Sequence, residues 1–134
     1  MKENAFNDLL RRNLHKDGHW TRVENIAGVG IPDINWCYKG KDIWIESKMV
    51  RGQRITFEAS QITWTKNRVK YGGDNWVLAR KENNIYLARA SVIHESIQWL
   101  NKPFVSLADF IQYGDSVYKK PFKWEILKNK LVSI

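Results

Sequence analysis

At 134 residues and 43% hydrophobic content, the chain suits one domain with one packed core, and no apolar run approaches the ~20 residues of a membrane span. Its one cysteine, Cys37, excludes an internal disulfide and a thiolate metal cluster, and His15, His19 and His94 lack zinc-site spacing. Lys and Arg total 22 against 14 acids, a formal charge of +8, which favours a polyanionic partner, nucleic acid above all, through counterion release.

Residues 2–14 read as a helix, with Phe6, Leu9, Leu10 and Leu14 at helical spacing. The Met-Lys-Glu-Asn start leads into this amphipathic segment and not into an apolar signal core, so a soluble cytoplasmic protein is expected. A short strand, Trp20 to Asn25, precedes the turn-rich Ala27-Gly28-Val29-Gly30. Two strands follow, about 32–38 and 42–48, separated by Lys39-Gly40. A basic loop with Arg51, Gly52 and Arg54 leads to a helix of about 57–71, with Thr56 placed to cap it and Gly72-Gly73 to end it. Strands near 75–80 and 85–90 complete an α-β-β-β-α-β-β core.

The remainder, 91–134, reads as a helical extension: short helices at 92–100 and 107–113, with a capping-box signal at Ser106 and Asp109, and a final helix at 123–131. The whole is expected to be one α/β domain with a mixed central sheet. Most of the 7 tryptophans should be core, leaving one or two for stacking on bases or for a subunit contact.

The hairpin places acids together. If Lys39-Gly40 is a two-residue turn, partners across it have numbers summing to 79, and Asp33 lies opposite Glu46. Alternation then puts Asp33, Glu46 and Lys48 on one face, with Ile34, Trp36, Tyr38, Ile43 and Ile45 on the other. Two opposed carboxylates destabilise a sheet unless something compensates. A hard divalent cation would do so, and Mg²⁺ favours one or two carboxylates with several waters. The alternative is a surface hairpin neutralised by Lys41 and Lys48.

Gly30-Ile31-Pro32-Asp33, twelve residues, then Glu46-Ser47-Lys48 resembles the signature of the PD-(D/E)XK nuclease superfamily. The resemblance covers about residues 2–90 and is greatest to archaeal-type and phage Holliday-junction resolvases and VRR-NUC domains. These combine an N-terminal helix carrying a Glu, a Gly-x-Pro-Asp strand, a Glu-x-Lys strand and a helix with an early Gln, here Glu3, Asp33, Glu46, Lys48 and Gln61. The resemblance implies a restriction-endonuclease-like fold in which Asp33 and Glu46, with the Ser47 carbonyl, ligate Mg²⁺ or Mn²⁺. Lys48 would orient or help deprotonate the attacking water, or stabilise charge on the phosphate.

Glu3 falls on the apolar stripe of the first helix, so it is expected to point inward to the site; Glu24 competes for the same role. Arg51, Arg54, Lys66, Arg68 and Lys70 are expected to track a DNA backbone. The expected function is a metal-dependent DNA endonuclease. A homodimeric four-way-junction resolvase, of a kind the resemblance associates with phages, is the expected enzyme, and Trp99, Phe104, Phe110, Tyr113 and Trp124 are candidates for the dimer contact. The alternatives are a nickase, a flap or single-strand nuclease, a restriction-like enzyme, a non-catalytic DNA-binding module, and a basic assembly protein without nucleic-acid specificity.

Overall fold

Helix α1 (Glu3–Leu14) buries Phe6, Leu10 and Leu14 on one stripe, each worth roughly 1.5–3 kcal/mol of transfer free energy. That stripe lies against a six-stranded sheet built from β1 (Gly18–Arg22), β2 (Ile34–Tyr38), β3 (Lys41–Met49), β5 (Trp76–Lys81), β6 (Asn84–Arg89) and β8 (Ser116–Lys119), in this spatial order. A computed structural model describes residues 1–23, 29–96 and 102–133. Neighbouring strands are antiparallel except β3 and β5, which run parallel. A parallel pair needs a crossover, supplied by β4 (Arg54–Thr56) and α2 (Ala59–Lys70).

The sheet has a core on each face. On one side Ile34, Trp36, Ile43, Ile45, Trp76 and Leu78 pack with α1 and with Leu127 and Leu131 of α5 (Trp124–Leu131). On the other, Val77, Ala79, Tyr86 and Ala88 pack beneath α3 (Ala90–Ser96) and α4 (Leu107–Tyr113), with Ile62 of α2 at the margin. The mixed α/β architecture around a mixed central sheet is the one expected.

The turn holds the expected register. Lys39 and Gly40 both have positive φ, 48° and 78°, as a two-residue type I′ turn requires, and Tyr38 pairs with Lys41 through to Ile34 with Ile45.

Several boundaries differ from expectation. The first strand is Gly18–Arg22 instead of 20–25; the segment 24–28, with Glu24 and the start of the Gly-rich turn, lies outside the described residues. The second helix starts at Ala59, capped by Glu58 and not by Thr56, which belongs to β4. The supposed basic loop is a tight turn closed by Arg51 and Arg54 bonding each other's backbones, followed by β4. That strand pairs with β7 (Phe104–Ser106) from the far end of the chain.

The tail is therefore not purely helical. It donates β7 to a two-stranded ribbon and β8 to the edge of the main sheet, and its helix α3 begins at Ala90, two residues earlier than expected. The Ser106 cap is present: its Oγ accepts from the Asp109 backbone N–H at 3.1 Å. The tail's aromatic surplus is largely spent internally, since Phe110 is fully buried and Trp124 packs on the α1-side core. Only Tyr113 is exposed; Phe104 lies beneath the Arg54 guanidinium, and Trp99 falls outside the described residues.

Candidate active site

Residues of β3 alternate between the two faces, so Ile43 and Ile45 enter the α1-side core while Trp44, Glu46 and Lys48 face α2. Asp33 stands immediately before β2, one step beyond the Ile34–Ile45 pair and hence across from Glu46. Its backbone is fixed by the Val23 N–H, which donates to the Asp33 carbonyl at 2.7 Å. Its carboxylate is fixed from β3: the Ser47 N–H and Oγ lie 3.1 and 3.2 Å from Asp33 Oδ2.

Ser47 Oγ also contacts the side-chain oxygen of Asn7 on α1. A hydroxyl carries one hydrogen, so both contacts are satisfied together only with the Asn7 amide turned to donate to Ser47, which then donates to Asp33. Asn7 is 4% exposed and was missed from the sequence. The available signal was a short amide on the stripe otherwise held by Phe6, Leu10 and Leu14.

Glu46 and Lys48 are both buried, at 5% and 7% exposure. Gln61, in the first turn of α2, joins them: its Nε2 donates to Glu46 Oε1 at 2.9 Å, and its Oε1 accepts from Lys48 Nζ at 2.8 Å. The same oxygen accepts from the Glu58 N–H at 2.9 Å, so the capping interaction that starts the helix also orients Gln61. Lys48 Nζ is 3.7 Å from Glu46 Oε1 and 5.1 Å from the centre of the Phe57 ring.

Gly30 sets the depth of this arrangement. It has φ +73°, and a Cβ there would come within 2.1 Å of the Ser60 carbonyl oxygen and 2.6 Å of the Gln61 nitrogen. The segment leading to Asp33 thus passes against the first turn of α2, backbone on backbone, at a distance only glycine permits.

Burial raises the Glu46 carboxyl well above the usual carboxylate range. The Asp33 charge and a hydrogen bond with Asp33 push it further up, Lys48 partly opposes, and Glu3 adds a smaller upward push. Two acids forced together in a poorly solvated site are what a divalent cation would relieve. The donor set fits such an ion: two carboxylates within reach of each other, with the remaining positions left to water and substrate. Among the described residues no third His, Cys, Asp or Glu joins them in a cluster.

Glu3 is exposed, not turned inward. It lies in the first turn of the helix on the angular stripe expected, yet exposed; its charge is nevertheless felt at Glu46. Of the basic residues, Arg51 and Arg54 are exposed in the turn beyond Lys48, with the Arg54 guanidinium 4.2 Å above the Phe104 ring. Arg68 lies on the site's side of α2, against Trp64 and Trp44. Lys66 and Lys70, five and nine residues after Gln61 at about 100° per residue, fall on the outer side and are exposed.

No protein-family model matches the sequence, and no curated protein matches it. Among solved structures, the fold is similar to that of Hjc from Archaeoglobus fulgidus, a Holliday junction resolvase from an archaeal hyperthermophile. The similarity has a TM-score of 0.60 at 18% sequence identity, covering 87% of this chain and 92% of that one. The chain thus has the restriction-endonuclease-like fold of an archaeal Holliday junction resolvase, as its resemblance to the PD-(D/E)XK superfamily implied.

Proposed function

We propose that the chain is a divalent-metal-dependent endonuclease that hydrolyses DNA phosphodiester bonds, with four-way junctions as its preferred substrate. One observation carries this reading: Asp33 and Glu46 meet across the hairpin, and Gln61 ties Glu46 to Lys48. The similarity in fold to a protein described as a Holliday junction resolvase supports the choice of substrate.

Asp33 and Glu46, with the Ser47 carbonyl, would hold Mg²⁺, for which Mn²⁺ would substitute. The ion would supply Lewis acidity and activate water for attack. Lys48, held at 2.8 Å by Gln61, presents a fixed ammonium where negative charge grows on the phosphate, preorganised stabilisation of the kind that dominates such reactions. Ser47 and Asn7 keep the Asp33 carboxylate from rotating away. Glu3, close enough to act electrostatically on Glu46, is the further acid proposed for the site. Arg51, Arg54 and Arg68 flank the cut strand and hold its phosphates, while Lys66 and Lys70 add long-range attraction.

A resolvase cuts two symmetrically placed strands, so a homodimer suits the task. The test is cleavage of labelled linear, nicked, flapped and four-way DNA of matched length with Mg²⁺, Mn²⁺ or a chelator, alongside sedimentation of the protein. Paired, near-symmetric cuts in the four-way DNA by a dimer support the full reading. Equal cutting of flaps, single strands or duplex by a monomer removes the junction preference and leaves the nuclease. Metal-independent binding without cleavage of any substrate removes the nuclease itself.

A further inference from the structure

Four of the six described tryptophans are accounted for by packing: Trp36 and Trp76 are fully buried, and Trp20 and Trp124 lie against the same core. Trp44 and Trp64 belong to neither core. They are half-buried and face each other, ring centres 5.9 Å apart and planes at 58°, one on β3 and one on α2. The Arg68 guanidinium sits 4.9 Å from the Trp64 ring and 5.8 Å from the Trp44 ring. An open groove lined by Asp42, Trp44, Arg68, Tyr71 and Asp74 runs on from them.

Their position is tied to the proposed cutting centre. Trp44 precedes Glu46 by two residues on the same face of the strand, about 6.6 Å at the usual rise. Trp64 follows Gln61 by three residues, almost one helical turn. Stacked nucleotides are spaced about 3.4 Å apart along a duplex strand, so the backbone positions of these residues lie within about two such steps of Glu46 and Gln61. The exposed part of such half-buried indoles can meet a base, and a guanidinium beside them adds a cation for the ring or for the next phosphate. Stacking of this kind needs a base removed from its own duplex.

We infer that Trp44, Trp64 and Arg68 form a stacking subsite for an unpaired nucleobase of DNA, close to the bond that is cut. The inference deepens the nuclease reading and takes from it the position of the cut. It accounts for selectivity towards branched DNA within one subunit: a branch point supplies unstacked bases, and continuous duplex does not.

The test is a cycle between protein and substrate. Binding is measured by fluorescence anisotropy, with Ca²⁺ in place of Mg²⁺, on DNA with unpaired nucleotides at a branch, on the same DNA made abasic at those positions, and on matched duplex. Trp64→Ala should weaken binding to the unpaired-base DNA about tenfold, Trp64→Phe should retain most of it, and duplex binding should hardly change. The abasic substitution should cost wild-type protein a similar factor and make Trp64→Ala indifferent, the non-additivity expected of direct partners. Equal loss on all three DNAs would mark a structural role and overturn the subsite, as would wild-type protein that ignores the abasic change, a result that needs no variant to fold. Metal-dependent cleavage measured in parallel separates the two readings: cleavage without the coupling removes only the subsite, and the coupling without cleavage removes only the nuclease.

Discussion

The two faces of the central sheet are made by alternate residues of the same strands, yet they follow different rules. Towards α1 and α5 the surface is Ile34, Trp36, Ile43, Ile45, Trp76 and Leu78, filled by helix side chains. Towards α2 the same stretch of β3 presents Trp44, Glu46 and Lys48. There α2 contributes Thr65 as its one buried residue, and its half-buried groups mix the polar Gln61 and Arg68 and the aromatic Trp64 with Ile62 and Val69. The first face gains stability from burial; the second accepts an acid where burial disfavours its charge. A three-layer arrangement, with helices on both faces of one sheet, thus keeps an apolar support directly behind the acid pair.

The comparison is tested most severely by substituting across the same strand pair. Asp33→Asn and Glu46→Gln should each lower cleavage by on the order of 10²–10³-fold or more, with the far-UV circular dichroism and DNA affinity retained. Trp36→Ala, on the opposite face, should instead cost about 3–5 kcal/mol of stability, read as a lower denaturant midpoint. An active Glu46→Gln protein would remove Glu46 from the site.

Gln61→Ala should reduce cleavage by about 10–100-fold, as loss of a group that orients functional residues typically does, and Lys48→Ala should lose catalysis with metal affinity largely kept. Single-turnover rates across a metal titration separate the two effects. A Gln61→Ala enzyme with wild-type rates would reduce that residue to a helix cap.

Glu3→Gln should lower activity about tenfold and Glu24→Gln less. The opposite ranking, measured under the same conditions, would transfer the role to Glu24.

The smallest effect is on stability and pH. Because burial and Asp33 raise the folded-state pKa of Glu46, the metal-free folded chain holds a proton that the unfolded chain has already released. In the window from the ordinary carboxylate pKa up to the raised one, stability from this group therefore falls as pH increases. Glu46→Gln should flatten that slope and raise the melting temperature of metal-free protein at neutral pH, while Mg²⁺ should stabilise the wild type and not the variant. Identical pH profiles of melting for the two proteins would contradict the buried, elevated acid.

Much of this geometry was legible because it is local. The Lys39-Gly40 turn dictates the pairing, and pairing with period-two alternation dictates which side carries Asp33, Glu46 and Lys48. Gln61 was legible as an early polar residue of a helix following Glu46-Ser47-Lys48, though not as the bridge between them. What escaped depends on distant contacts. Each strand of the β4–β7 ribbon has three residues, too few for a periodic signal, and its partners are separated by more than a third of the chain. The strand β8 gains its identity from β6 beside it. Asn7 was not legible because its partner, Ser47, lies on another element. Glu3 had the right angular position, but angle alone does not show whether the first turn of a helix is covered.

The contact at Gly30 has a mechanical consequence. Most joints between a loop and a helix contain side chains that swing among rotamers and absorb displacement. Here backbone rests on backbone, at Ser60 and at the nitrogen of Gln61, so the joint has little compliance. A displacement of α2, such as binding at Arg68 would cause, would reach the segment leading into Asp33 through backbone, with no side chain of Gly30 in between to take it up.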